Sequence, residues 1–404
     1  MGIFEFVANN IYYTVPIPVY VAVLVVLLCQ VFRRIFISRR PSIMESTPLA
    51  HKTSDLSHYI LKSDSCPALQ VTPDTTYSWR DKPQEVPREI KPGKYFLTMN
   101  IRKLDPNDYI IFDERFLSEY RERQAIIENV GPGKIFVADP SDGGALDLCE
   151  ETLVVTVDFL VTRYPSMFRK TERGVFCIDA GEEYDLVTRP WSRHPLEITC
   201  LLSGEDHILI RCCDDGTLRV AAVGLVYSLN IDWRSFIGKE LGSIHKDAHV
   251  PFYESALQKS VDRYFQKLPP DKLISRANWL TQVGPELRND NFPDKYLELV
   301  STLPGNTITP ETIVNDLYIR VERQAMRKLP STNGVVFKFR VYATNIWDLE
   351  QEEGIPRRFA DHIRGLPEPI LRQKHCLECA DCILKAMDFM AEQQEKEKFM
   401  NSYD

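Results

Sequence analysis

The stretch from Leu229 to Trp279 gathers residue types that carry out chemistry, and His245 is the first candidate within it. This histidine lies between an apolar segment that ends near Leu241 and a turn anchored by Pro251. A neutral imidazole is a common ligand of haem iron and of other transition metals. A helix-capping or hydrogen-bonded loop histidine would have the same setting, and His249 is a second candidate ligand. The spacing alone leaves these alternatives open.

Several arginines form a basic set that can bind carboxylates. Arg263 and Arg276 lie within the same stretch, and Arg320 and Arg323 follow later in the chain. A guanidinium group binds a carboxylate, such as a propionate, through two parallel hydrogen bonds. Acidic residues lie close to these arginines in the sequence, so structural ion pairs are the alternative.

Glu205 and Asp206 are adjacent carboxylates in a cluster of turn-forming residues that begins at Gly204. This cluster predicts a hairpin turn that joins two strands. The pair is a candidate for catalysis. The alternative is an exposed turn in which an aspartate caps the backbone.

Three cysteines near the C-terminus follow a spacing that metal sites use. Cys376, Cys379 and Cys382 are each three residues apart, and His375 precedes them. Thiolates at this spacing are typical of part of an iron–sulfur ligand set, and they also bind zinc. No further ligand pair lies nearby in the sequence. On a helix the three thiols would share one buried face, so structural cysteines are the alternative.

The composition is that of a folded protein with a large core. The chain has 404 residues, of which 44% are hydrophobic, and a formal net charge of -8. Its acidic balance provides no basic surface of the kind that neutralises phosphates, which excludes nucleic acid as an expected partner. The ten cysteines are irregularly spaced, unlike the disulfide framework of a small secreted domain.

The N-terminal region predicts a single membrane helix. Residues 15–32 form an uncharged apolar run about as long as a hydrocarbon core is thick. Arg33, Arg34, Arg39 and Arg40 follow the run, and no lysine or arginine precedes it. Positive charge favours the cytosolic side of a membrane. We therefore expect a single-pass membrane protein whose body faces the cytosol.

The chain then divides into three regions. Residues 1–40 comprise the anchor with its basic flank, and residues 41–92 form a polar tether rich in Pro, Ser and Thr. Residues 93–404 form the body. Helical periodicity predicts helices at 113–129, 144–164, 252–268 and 375–399. Runs of β-forming residues predict strands at 174–179, 196–202, 207–213, 218–229, 273–279 and 334–344, with an extended piece within 311–328. This order predicts an α+β body.

The body resembles the α-subunit family of haem-dependent oxidative N-demethylases, which includes the HRQ family proteins. The resemblance spans roughly residues 94–390 and rests on many short stretches that follow one another in the family's order. These are Lys103–Pro106, Asp113–Phe116, Arg163–Pro165 with Phe168, Leu202–Leu209, Trp233, Ile237–Lys239, Ile244–His245, Val250–Pro251 with Tyr253, Val261–Phe265, Asn278–Trp279, Arg320–Gln324, Leu329–Pro330 and the strand that ends at Tyr342.

The resemblance implies a PAS-like fold that holds haem b and removes a methyl group from a secondary or tertiary amine. The expected products are the demethylated amine and formaldehyde, with O2 as oxidant and electrons from a separate flavin or iron–sulfur reductase. It implies His245 as the axial ligand, Arg263, Arg320 and Arg323 as propionate or structural partners, and Glu205 or Asp206 as the group that attracts a protonated amine. The link between His245 and Pro251 is longer than is usual in the family, which keeps His249 as the alternative ligand. A non-catalytic haem or small-ligand sensor is the alternative function.

Overall fold

The computed structural model describes residues 69–229, 232–292 and 315–401. The membrane helix predicted for residues 15–32 lies outside this part of the chain. No helix within the described ranges combines the length and the apolar character that a membrane span requires.

The described chain mixes helices with two antiparallel sheets, which confirms the α+β prediction. The strands are β1 (Arg102–Lys103), β2 (Phe136–Ala138), β3 (Phe168–Lys170), β4 (Gly174–Cys177), β5 (Glu182–Asp185), β6 (Asp206–Cys212), β7 (Leu218–Gly224), β8 (Ile274–Val283), β9 (Leu317–Lys328) and β10 (Val335–Asn345). The α-helices are α1 (Phe116–Val130), α2 (Pro132–Ile135), α3 (Ala145–Arg163), α4 (Pro195–Ser203), α5 (Leu241–Asp247), α6 (Gln258–Lys267), α7 (Ile355–Gly365), α8 (Glu368–Gln373) and α9 (Ala380–Asn401). A π-helical turn, Tyr253–Leu257, precedes α6.

The larger sheet has seven strands in the order β1-β8-β9-β10-β6-β7-β2, and β3, β4 and β5 form a separate small sheet. Two locally connected pieces make up its centre. The hairpin of β6 and β7 is one, and the meander of β8, β9 and β10 is the other. They join where β10 pairs with β6, with Val335 opposite Ile210.

Helices cover both faces of this sheet, because neighbouring strand residues point to opposite sides. Val336 packs in the cluster formed by α1, α3 and α4, whereas Val335 packs with residues of α6 and of the turn before it. Helices α7 and α9 form a third cluster with β8 and β9, in which Trp279 contacts Phe359.

The strand predicted for residues 196–202 is wrong, because this segment is helix α4. Pro195 opens the helix, and the Nδ1 atom of His194 accepts a hydrogen bond from the Leu196 N–H group at 3.1 Å. Gly204 ends it in the left-handed conformation. A short, continuous apolar run has no period that separates a buried strand from a buried helix.

Two further expectations about local structure need correction. His245 lies within helix α5 rather than in a turn. Glu205 and Asp206 are not on an exposed hairpin turn, since they follow α4, lead into β6 and are fully buried. The partners that bury Glu205 and Asp206, which include Lys338 and Arg123, are distant in sequence.

Side chains in the described part of the predicted tether are already packed against the body. Trp79 is buried with its ring edge-on to Phe116. Ile90 is buried in the cluster of α7 and α9, and Arg88 pairs with Glu352 at 2.5 Å. The three-region division of the chain itself stays a prediction.

Candidate functional site

His245 is held in one orientation by its own helix and by a stacked ring. Its Nδ1 atom is 2.7 Å from the carbonyl oxygen of Leu241. A carbonyl only accepts, so Nδ1 carries the hydrogen and Nε2 keeps its lone pair. The imidazole stacks on the Tyr253 ring, with centroids 4.0 Å apart and planes 9° apart. Ligand histidines generally have their second nitrogen fixed in this way.

The charge state of His245 also suits metal binding. Burial lowers the pKa of this imidazole, and the nearby positive charge of Arg276 lowers it further. The ring is therefore neutral near pH 7, and the neutral form is the one that coordinates a metal. His249, by contrast, is exposed and follows the end of α5 in a left-handed conformation with φ 49°.

Two partly buried apolar side chains lie where β6 pairs with β10. Ile208 of β6 and Phe337 of β10 are directly opposite each other in the ladder. Both pack against the cluster that contains Tyr253, but neither is fully covered. Apolar surface of this kind next to convergent polar groups is typical of a ligand site.

Glu205 lies on the opposite face of the sheet, where it is matched by two cations. Its Oε2 atom accepts a short hydrogen bond from the Lys338 ammonium group, and the Arg323 guanidinium is 3.7 Å from Oε1. Lys338 also donates to the carbonyl oxygen of Tyr109 at 2.5 Å. Burial lowers the pKa of Lys338 to about 8, and the Glu205 charge opposes that effect.

Asp206 uses both carboxylate oxygens within the protein. Oδ1 pairs with the Arg123 guanidinium at 2.7 Å, and Oδ2 accepts a hydrogen bond from the Tyr227 N–H group at 2.8 Å. Arg123 also lies over the Tyr227 ring and donates to the carbonyl oxygen of Gly204. The pair thus ties helix α1 to the start of β6.

The predicted arginines are not brought together around His245. Arg263 is exposed on α6. Arg320 is fully buried and donates to the carbonyl oxygens of Leu287 and Tyr227, each at 2.7 Å. Arg323 is beside Glu205 on the other side of the sheet. Of the basic set named from the sequence, Arg276 is the member whose charge acts on His245.

His207 resembles His245 in its hydrogen bonding but not in its surroundings. Its Nδ1 atom is 3.2 Å from the Glu205 carbonyl oxygen, and within the described ranges its buried Nε2 atom has no hydrogen-bond partner. The ring is fully buried, directly opposite Lys338 in the ladder. A fully enclosed ring beside a cation is a poor position for an iron ligand.

The family model for the haem-dependent oxidative N-demethylase, alpha subunit-like family matches residues 100–384. The chain belongs to this family. Membership confirms the resemblance drawn from the sequence motifs, and it indicates haem-dependent oxidative chemistry of the N-demethylase type. The matched residues include α5, the sheet and the covering helices α1, α3, α4 and α6.

The residues around His245 fit the cofactor that this family uses. A haem needs an axial donor, apolar walls and positively charged groups for its two carboxylates. The free Nε2 atom of His245, the uncovered parts of Ile208 and Phe337, and the nearby Arg276 supply these three features on one side of the sheet.

The cysteine motif is buried rather than arranged for metal. Cys376, Cys379 and Cys382 lie in the core beside α9, and only Cys382 is within that helix. Burial raises the pKa of the Cys376 thiol well above its ordinary value, and this thiol donates to the Leu371 carbonyl oxygen. Across residues 69–229, 232–292 and 315–401, no cluster of His, Cys, Asp and Glu could hold a metal ion.

Two residues of the site were not singled out from the sequence. Lys338 alternates with apolar residues in β10, and a lysine at a position that should face the core is the signal for a buried ion pair. Lys374 directly precedes the His375–Cys376 motif, but its proximity to Arg276 depends on the fold. Tyr253 is part of the family motif, but its stacking on His245 depends on the position of α5.

Proposed function

We propose that this chain binds haem b between α5 and the sheet, with His245 as the axial ligand, and that it demethylates a methylated amine. The observation that carries the proposal is the hydrogen bond from Nδ1 of His245 to Leu241, which leaves Nε2 free. Haem b, when bound, supplies the activation of O2. We propose a PAS-like fold for the domain, in keeping with the antiparallel sheet and its covering helices.

The overall reaction balances with external electrons. A tertiary or secondary methylamine, O2, two electrons and two protons give the demethylated amine, formaldehyde and water. The electrons come from a separate flavin or iron–sulfur reductase. The chain's own residues hold the cofactor and exclude water from it: His245 binds the iron, and Ile208 and Phe337 provide apolar contact.

We also propose that Glu205 or Asp206 attracts a protonated amine. Both carboxylates are fully buried and matched by cations. We likewise propose Arg263, Arg320 and Arg323 as propionate or structural partners. Arg320 and Arg323 already make contacts within the protein, and Arg263 is exposed.

Haem uptake followed by product analysis tests the proposal. The full chain is titrated with haemin, and its Soret band is compared with those of His245→Ala and His249→Ala. We expect loss of the band in His245→Ala alone; loss in His249→Ala alone would assign the ligand to His249. Formaldehyde release from dimethylamine with a surrogate reductase then distinguishes an enzyme from a haem sensor. A chain that takes up no haemin would refute both the enzyme and the haem sensor.

We also propose that residues 15–32 anchor the chain in a membrane with the body facing the cytosol. Support comes from the apolar run and the four arginines that follow it within residues 33–40. The full chain should resist alkaline extraction from membranes, whereas a chain that starts at residue 41 should be released. Release of both forms would refute the anchor.

A further inference from the structure

Arg276 and Lys374 are two partly buried cations that lack an acidic partner. Neither has a carboxylate oxygen within 4.0 Å in the described part of the chain. Burial and the Arg276 charge together lower the pKa of Lys374 to about 8. Buried charges are normally paired, so this arrangement is incomplete as it stands.

Both side chains have hydrogen-bond donors to spare. Lys374 uses its ammonium group to donate to the Asn278 side-chain oxygen at 2.5 Å, and it lies over the Trp279 ring. Arg276 donates from Nη1 to the carbonyl oxygen of Met99 at 3.3 Å. Its Nε atom is buried and has no hydrogen-bond partner among the described residues. The free donors match what a carboxylate accepts.

The nearest carboxylates are committed to other groups. Glu322 accepts a hydrogen bond from the Gln324 amide at 2.9 Å and lies 3.9 Å from the Arg320 guanidinium. Glu89 accepts a hydrogen bond from Asn100 and lies 3.6 Å from the Arg102 guanidinium. Their negative charges moderate the local potential, but neither carboxylate pairs directly with Arg276 or Lys374.

Arg276 is also placed to act together with His245. In β8, Arg276 lies directly opposite Gln324. The neighbouring residue pair on the same face of the ladder is Ile274 with Met326. Ile274 and Met326 belong to the cluster that α6 and Tyr253 cover. A ligand that contacts His245 on this face therefore lies on the side of the sheet to which Arg276 belongs.

We propose that Arg276 and Lys374 form a carboxylate-binding site for the ligand held beside His245. The inference rests on the proposed function for the identity of that ligand. Two sources supply the same chemistry: a propionate group of haem, or the carboxylate of an N-methylated amino acid that serves as substrate. In either case the bound carboxylate supplies the counter-charge that the protein lacks.

The experiment compares haemin with its dimethyl ester, in which both propionates are neutral. Arg276→Met and Lys374→Met are titrated with each compound, beside wild type and the matched control Lys272→Met, whose lysine is exposed near the start of β8. If the site binds a propionate, each variant should lose about tenfold to a hundredfold in haemin affinity and little in diester affinity. Lys374→Arg should retain haemin affinity, which shows that loss in Lys374→Met is not misfolding.

The substrate arm uses sarcosine and dimethylamine, which differ by a carboxylate. If the site binds a substrate carboxylate, both Met variants keep haemin affinity but lose binding of sarcosine and not of dimethylamine. A wild-type chain that takes up no haemin refutes the proposed function but not this site, which calorimetry with sarcosine then tests directly. Equal losses of affinity for haemin and for its diester would overturn the site. Unchanged affinity of both Met variants for haemin and for sarcosine would also overturn it.

Discussion

The rings of His245 and Tyr253 lie parallel, with centroids 4.0 Å apart and planes 9° apart. Tyr253 belongs to the π-helical turn before α6, so the stack connects this turn to α5. The Tyr253 hydroxyl is buried and finds no hydrogen-bond partner in the part of the chain that the structure describes. The ring, and not the hydroxyl, is therefore what positions the imidazole.

Replacing the Tyr253 ring should weaken haem binding without removing it. We expect Tyr253→Leu to reduce haemin affinity about tenfold, in the range seen when groups that orient a metal ligand are removed. Tyr253→Phe should bind haemin as wild type does, because the lost hydroxyl makes no hydrogen bond. Haemin titration with the position of the Soret band measures both. Equal weakening in the Phe variant would contradict the positioning role of the ring.

The cap that His194 provides should make stability depend on pH. Burial lowers the pKa of His194 to about 4, from 6.5 in an unfolded chain. Between these values the unfolded chain binds more protons, so the free energy of unfolding falls as the pH falls from about 6.5 to 4. His194→Asn keeps a cap on α4 but cannot titrate. Urea unfolding across this range should therefore show a smaller pH-dependent loss, by on the order of 2 kcal/mol, in the variant.

Parallel curves for wild type and His194→Asn would contradict this account. His207 and His245 also have pKa values lowered by burial, and their contribution has the same sign. Both remain in the variant, so the difference between the two curves isolates His194.

Breaking the buried pair of Lys338 and Glu205 should be costly. Lys338→Met leaves the Glu205 carboxylate buried with only the more distant Arg323 guanidinium, and we expect a loss of about 3–5 kcal/mol in the free energy of unfolding. Adding Glu205→Gln should recover part of it, because the uncompensated charge is then removed. Urea unfolding measures both, with the exposed Lys385→Met as control. A double variant no more stable than Lys338→Met would count against the charge explanation.

Close backbone packing at Gly365 should make that position intolerant of a side chain. A Cβ atom there would lie 1.9 Å from the Gly93 carbonyl oxygen, and the Tyr95 N–H group donates to the Gly365 carbonyl oxygen at 3.3 Å. We expect Gly365→Ala to cost roughly 1–3 kcal/mol and to increase proteolysis between residues 82 and 95. Gly133→Ala is the control, since its Cβ would meet no atom within 4 Å. Unchanged proteolysis in Gly365→Ala would contradict the close packing.

Segments with a clear period were predictable from the sequence. Strand β10 alternates apolar and charged residues from Phe337 to Val341, which agrees with the strand predicted for residues 334–344, although Lys338 and Arg340 are buried as well. Helix α3 carries an apolar run that stops just before Pro165, and it agrees with the helix predicted for residues 144–164. The strand predicted for residues 196–202 failed for the converse reason, since Glu197 and Thr199 are the only polar residues in this segment.

The environment of the candidate site could not be read from the sequence. The partner of Asp206 is Arg123, 83 residues away, and the partner of Glu205 is Lys338, 133 residues away. No residue close in sequence to Glu205 and Asp206 indicates that Lys338 or Arg123 will lie beside them. An exposed turn was therefore the reasonable prediction. Family motifs did point to His245, because they carry information that spacing within one sequence lacks.

The pairing of β10 with β6 has a consequence for how the protein matures. The hairpin β6–β7 and the meander β8–β9–β10 each join strands that are near neighbours in sequence, whereas the β6–β10 ladder closes a loop of more than one hundred residues. Such distant contacts cost the most chain entropy and limit the folding rate. Ile208 and Phe337 face each other across this ladder. The apolar wall beside His245 therefore exists only once this long-range pairing has formed, so acquisition of the cofactor follows the pairing of β10 with β6.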